Sequence, residues 1–120
     1  MVKNLLLAGA GGGIGAALRF TVYYFFRNTN SYFPTLLVNV AGSFLLGIIL
    51  GISFRNYDEA AIRIFLATGI CGGFTTFSAF SAEILALLQT GKILLATFYI
   101  IVSVLTGVTA VWLGMKMINL

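Results

Sequence analysis

Gly69-Ile-Cys-Gly-Gly-Phe-Thr-Thr-Phe-Ser-Ala-Phe-Ser-Ala-Glu83 is the stretch on which the fold turns. It lies inside a hydrophobic segment, 62–88, that is long enough to cross a bilayer. Yet it carries Gly69, Gly72 and Gly73, the hydroxyls of Thr75, Thr76, Ser78 and Ser81, and the carboxyl of Glu83, where lipid favours leucine. In hydrocarbon an unpaired polar group costs several kcal/mol. Irregular backbone at membrane depth persists only where protein buries it or where it lines an aqueous cavity. The stretch is therefore expected to hold an ion or a substrate as well as the fold. Glycine inside a helix costs ~1 kcal/mol relative to alanine. The reading is a helix to about Cys71, a break through 72–76 and a second helix from about Ser78. Glu83 then falls in the early turns of that second helix, where the dipole favours an acid. The competing reading is a continuous helix whose glycines serve close packing. Threonine and serine can satisfy backbone groups freed by a break, which favours the broken helix.

Three further apolar segments flank this one, at 4–26, 32–54 and 93–115. About 20 residues suffice to span the hydrocarbon core, so residues 1–120 read as a single all-α transmembrane domain. Polar breaks separate the segments at 27–31, 55–59 and 89–92. Pro34 suits the first turn of the second helix, and Gly91 is a natural stop for the third. Of the 120 residues, 60% are hydrophobic and 8% charged, against roughly a quarter charged in soluble domains. The run that follows Lys3 continues past signal-peptide length.

Composition also excludes chemistry. The chain has no histidine and one cysteine, Cys71. An intrachain disulfide, a Cys/His metal centre and a Ser-His-Asp or Cys-His catalytic unit are all ruled out within one chain. No enzyme is expected. The net charge of +4 comes from basic residues scattered singly, which fits membrane topology and not a nucleic-acid surface. With the N-terminus inside, Lys3, Arg55, Arg63 and Lys116 face one side; Arg27 and Lys92 face the other, joined by Arg19 if it snorkels there. Such a feeble bias allows a weak N-in preference or insertion in both orientations. Four helices alone enclose little pore volume, so an oligomer is expected, and dual insertion would permit an antiparallel one. Small-xxx-small spacings at Gly9/Gly13, Gly11/Gly15, Gly47/Gly51 and Gly69/Gly73 suit dimerisation or packing within the chain equally well.

Several polar residues lie at depth. The Asn39 amide can offer two donors to an anion, or act as glue between helices. Ser43, Ser78, Ser103 and Thr106 taken alone read as packing hydroxyls. Glu83 suits a proton or cation site, or a paired structural acid. Phe77 and Phe80, three apart, share a helical face beside the break. An aromatic ring is electropositive at its edge, so such edges can partly replace water around a small anion without holding it as tightly as lysine or arginine would.

These residues carry a resemblance. Gly11-Gly-Gly-Ile-Gly-Ala-Ala-Leu-Arg19, Asn39-Val-Ala-Gly-Ser-Phe-Leu-Leu-Gly47 and Gly72-Gly-Phe-Thr-Thr-Phe-Ser-Ala-Phe80, followed by Ser81 and Glu83, resemble the Fluc family of fluoride channels, also called CrcB. The resemblance spans the chain. It implies an antiparallel, dual-topology homodimer, or a pair with a homologue, in the bacterial cell membrane, surrounded by lipid and passing fluoride passively outward. It implies that Phe77 and Phe80 are pore phenylalanines and Asn39 a pore-lining amide. It implies that the backbone carbonyls of Gly72 and Thr75 from both subunits hold a structural Na⁺. Ser78 matches a hydroxyl of the third-helix polar track, from which Ala79 departs where the family often has threonine. Arg19 and Glu83 match the pattern without a defined role. Ser103 and Thr106 are the fourth-helix candidates. Two rivals stand beside this reading: a four-helix, dual-topology multidrug exporter coupled through Glu83, and a non-transporting assembly subunit.

Overall fold

The computed structural model describes residues 1–29, 31–52 and 57–119, without the side chains of Tyr57 and Asp58. The described residues are helical throughout apart from short connections. They form α1 (Val2–Phe25), α2 (Phe33–Gly51), α3 (Tyr57–Arg63), a π-helical stretch (Ile64–Cys71), α4 (Gly72–Phe74), α5 (Phe77–Gln89) and α6 (Ile93–Ile118). Four helical runs are long and apolar enough to cross a membrane, the third being Glu59–Gln89. The second expected segment was to end at Phe54 and the second loop to begin at Arg55; both positions lie outside the described residues, as does Asn30.

Local chemistry sets the helix ends. Pro34 occupies the first turn of α2, where its missing N–H would have no helical partner anyway. α5 ends in a Schellman closure. The Gly91 amide bonds the Leu88 carbonyl at 3.1 Å and the Lys92 amide bonds the Leu87 carbonyl at 2.8 Å. Gly91 is left-handed there, with φ at 75°, which only glycine adopts without strain.

Helices pair through glycine. α1 lies against the π stretch and α4, and α2 against α6. A Cβ on Gly11 would overlap the Phe65 carbonyl oxygen, one on Gly15 the Ile70 carbonyl oxygen, and one on Gly73 the Gly12 carbonyl oxygen. A Cβ on Gly47 would strike the Val111 carbonyl oxygen, and one on Gly114 that of Phe44. The Gly11/Gly15 and Gly69/Gly73 spacings therefore serve packing within this chain, backbone on backbone. Gly9 and Gly13 meet nothing within 4 Å. One apolar cluster joins Leu87, Ala96 and Tyr99, with Tyr32, Leu36, Phe80 and Ile84 against them; Val38, Ile49, Cys71 and Ala110 are buried elsewhere. Large side chains such as Phe20, Phe25, Leu94 and Val108 are exposed, as hydrocarbon permits. Arg27 over the Tyr24 ring, at 4.0 Å, and Lys116 over the Trp112 ring, at 4.6 Å, set cation–aromatic pairs near helix ends, where interfaces favour them.

The third span differs in detail from its expected form. Gly72 is helical (φ −63, ψ −38), and the π turns carry the helix through it to Phe74. The break is confined to Thr75 (φ −79, ψ 156) and Thr76 (φ −149, ψ 115), both extended, and α5 begins at Phe77. Thr76 itself caps α5, its Oγ1 accepting from the Ala79 amide at 3.1 Å. That cap lets two residues interrupt the span where five were expected.

Candidate functional site

The break is held by the second helix. The Thr76 amide donates to Asn39 Oδ1 at 2.7 Å, and Asn39 Nδ2 donates back to the Thr76 carbonyl at 3.1 Å. One side-chain amide thus replaces both backbone partners that the interruption removed. In an unbroken helix the Thr76 N–H would close on the Gly72 carbonyl; here it is drawn to Asn39 instead. Thr75 turns its amide and hydroxyl back to the Cys71 carbonyl, at 3.0 and 2.9 Å. Its own carbonyl receives Arg19 Nη1 at 3.5 Å, a long contact. Arg19 therefore turns inward to the break and does not snorkel to the end of α1.

Two cavities open beside the break. The smaller, ≈ 160 Å³, has Asn39, Ser43, Phe77, Phe80, Ser103 and Gly107 in its wall. The Phe77 and Phe80 ring centroids stand 5.8 Å apart at 43°. Ser103 Oγ is buried and has no hydrogen-bond partner among the described residues. The larger, ≈ 310 Å³, lies against Asn39, Ser43, Cys71, Gly72, Thr76 and Phe77. Phe77 is 79% exposed, so its ring forms an open wall of the single chain. No lysine, arginine or acid is among the residues lining either cavity.

Glu83 lies behind the aromatic wall. Thr35 Oγ1 donates to its Oε1 at 2.6 Å and the Tyr99 hydroxyl donates to its Oε2 at 2.7 Å. Because Thr35 spends its proton on Glu83, the Tyr23 hydroxyl that meets Thr35 Oγ1 must be the donor of that pair. Hydroxyls from α2 and α6 bond the carboxyl group directly and one from α1 joins through Thr35, the arrangement of a structural acid in a polar network. Tyr99 also meets Phe80 edge to face, with centroids 5.2 Å apart.

The structure thus gathers Asn39, Phe77, Phe80 and Ser103 around one cavity. It does not bring Ser78 or Thr106 there. Ser78 Oγ pairs with Thr76 Oγ1 at 3.1 Å on the exposed side of the cap. Thr106 donates to its own helix, to the Val102 carbonyl at 2.6 Å, and lines a separate groove with Val40 and Leu113. Sequence reasoning passed over Thr35 and Tyr99 and read Ser43 as a packing hydroxyl. Their signal was spacing: Thr35, Asn39 and Ser43 recur every four residues on α2, as do Tyr99, Ser103 and Gly107 on α6. Each triplet forms one stripe along its helix.

Four apolar spans, a break pinned by a helix-borne amide and a phenylalanine-walled polar cavity define a multi-pass membrane protein. Residues 6–115 match the family described as CrcB-like protein, Camphor Resistance (CrcB). The chain is similar to the fluoride-specific ion channel FluC of Azobacteroides pseudotrichonymphae genomovar. CFP2, 44% identical over 118 residues, which covers 95% of this chain and 94% of that protein. It is likewise similar to the fluoride-specific ion channel FluC of Chlorobium phaeobacteroides (strain BS1), 44% identical over 119 residues, covering 97% and 93%. That of Flavobacterium psychrophilum (strain ATCC 49511 / DSM 21280 / CIP 103535 / JIP02/86) is 40% identical over 118 residues. The chain belongs to the CrcB family.

Proposed function

We propose that this protein is a fluoride-selective channel of the cell membrane that lets cytoplasmic fluoride leave passively, and that it is not an enzyme. The observation that carries the reading is the cavity itself. An amide, a hydroxyl without a partner among the described residues and two phenyl rings face one small space, and no full positive charge is among the described residues that line it. Neutral donors and ring edges can replace part of the water around a small anion. A lysine or arginine there would hold the ion too tightly for conduction, which needs weak sites. Hydrogen fluoride enters a cell as the neutral acid and dissociates inside, and a passive pore returns the anion down its gradient. Fluoride-electrode measurement of efflux from liposomes holding the purified chain tests this. Efflux should need a potassium ionophore to balance charge. Absence of fluoride efflux, with export of an organic cation dependent on Glu83, would support the exporter instead. The hydroxyl partners of Glu83 speak against that rival, because both carboxylate oxygens are committed to structure.

The working unit we infer is an antiparallel homodimer inserted in both orientations. The exposed Phe77 ring and the exposed Gly72 lie beside open cavities that a second chain would close. A cysteine engineered next to Lys116 should react partly with an impermeant reagent from each side of the membrane. Complete reaction from one side only would contradict dual topology.

A structural Na⁺ fits one of its two expected ligands well. The Gly72 carbonyl loses its helical donor to Asn39 and sits on an exposed backbone position, as an oxygen ligand for a shared ion should. The Thr75 carbonyl is shared with the Arg19 guanidinium, so its hold on a cation is weaker. A bound Na⁺ would supply fixed positive charge and tie two chains together. Thr75→Ser should be mild, because only its carbonyl is used. Gly72 is helical, and a Cβ there meets only the Ala67 carbonyl oxygen at 3.8 Å. Gly72→Ala therefore spares the single chain and should weaken only association. Replacing sodium with N-methylglucamine should lower dimer stability on gel filtration; unchanged stability and flux would refute the ion.

A further inference from the structure

We propose that the Ser43 hydroxyl is a permeation-site donor that passes the anion between the two cavities, a role that rests on the channel reading above. Asn39, Ser43 and Phe77 line both cavities, so the boundary between them is built from these side chains. Asn39 cannot serve the ion alone. Its Oδ1 and one of its N–H groups are committed to Thr76, which leaves a single donor. Phe77 brings no hydrogen bond. Ser43 supplies what is missing.

A serine or threonine inside a helix commonly donates to the carbonyl one turn back. Thr21, Thr97 and Thr106 all do so here. Ser43 Oγ forms no such bond and no other among the described residues, so its proton is free for the cavity. The space beside it is kept by α6. A Cβ on Gly107 would stand 3.9 Å from Ser43 Oγ, and any larger side chain would cover the hydroxyl. Ser43 lies one helical turn beyond Asn39 on α2. An anion leaving the Asn39 donor toward the wider cavity is therefore handed along the same helix face. There it meets a neutral donor before water completes its shell.

The test compares fluoride efflux and its dependence on fluoride concentration for the wild-type chain, Ser43→Ala and Ser43→Thr. Ser43→Ala should lower flux about tenfold, the loss of one hydrogen bond to a charged group. It should also raise the half-saturating fluoride concentration, with an unchanged gel-filtration profile. Ser43→Thr keeps the hydroxyl and should recover most of the flux. Ser43→Ala with wild-type flux and half-saturation overturns the proposal. So does a well-folded Ser43→Thr as impaired as Ser43→Ala, which would make size and not the hydroxyl decisive. A wild-type chain without fluoride efflux would instead overturn the channel reading.

Discussion

Phe77→Ile and Phe80→Ile each lower fluoride flux by at least about tenfold while the chain stays folded, and the double variant by about a hundredfold. That is the expected size if each ring edge contributes about 1.4 kcal/mol to a partly dehydrated anion. Isoleucine keeps the apolar bulk and removes the electropositive edge. Phe77 gives the cleaner result, because it is 79% exposed in the single chain and packs no core. Phe80 also packs against the Leu87, Ala96 and Tyr99 cluster and meets Tyr99 at 5.2 Å, so its replacement adds a modest loss of stability of about 1 kcal/mol. Methionine at either position should retain some flux through its polarizable thioether. If the rings only pack, isoleucine and methionine are both tolerated in flux and any loss appears in thermal stability. Efflux measured alongside gel filtration separates the outcomes.

Asn39→Ala should remove both flux and stability, for two distinct reasons. Thr76 is buried, at 6% exposure, and both its backbone groups are satisfied by that one amide. Leaving a buried donor and acceptor unpaired costs about 1–3 kcal/mol each. The break then loses its fixed geometry, and the cavity loses its amide donor. Asn39→Asp separates the effects. Its carboxylate still accepts from the Thr76 amide, but it offers no donor and places negative charge beside the path. Flux should vanish in both variants, but the loss of stability has different causes: the alanine leaves both Thr76 backbone groups unpaired, whereas the aspartate keeps the Thr76 amide bond and sets an oxygen and a buried charge against the Thr76 carbonyl. Wild-type flux in a folded Asn39→Ala would remove the amide from the pathway and leave it as interhelical glue only.

The spans were legible because hydrocarbon demands long apolar runs, and the bounds expected at 4–26 and 93–115 lie within three residues of the observed ones, Val2–Phe25 and Ile93–Ile118. The existence of a break was legible from glycines next to hydroxyls. Its width was not. Gly72 and Gly73 suggested irregular backbone, yet Gly73 is small because Gly12 of α1 approaches it, and the helix runs through both. The threonines alone make the interruption, since Thr76 can cap the next helix and Asn39 can bond its backbone. Asn39, Phe77, Phe80 and Ser103 could be named from residue type and depth. Thr35, Ser43 and Tyr99 were harder to see, because a single hydroxyl in a membrane helix ordinarily packs, and only the four-residue stripe on facing helices sets these apart. Arg19 misled for a similar reason: a lone arginine two turns from a helix end usually reaches for water, and here the free Thr75 carbonyl draws it inward.

The most direct test of the central claim is the current through this chain alone in a planar bilayer with fluoride on one side and chloride on the other. Selective passage through neutral donors predicts a large reversal potential whose sign is that of fluoride permeating and chloride not, because the Asn39 amide and the hydroxyls beside it favour the smaller, more strongly hydrogen-bonding anion. Equal fluoride and chloride permeability would contradict it.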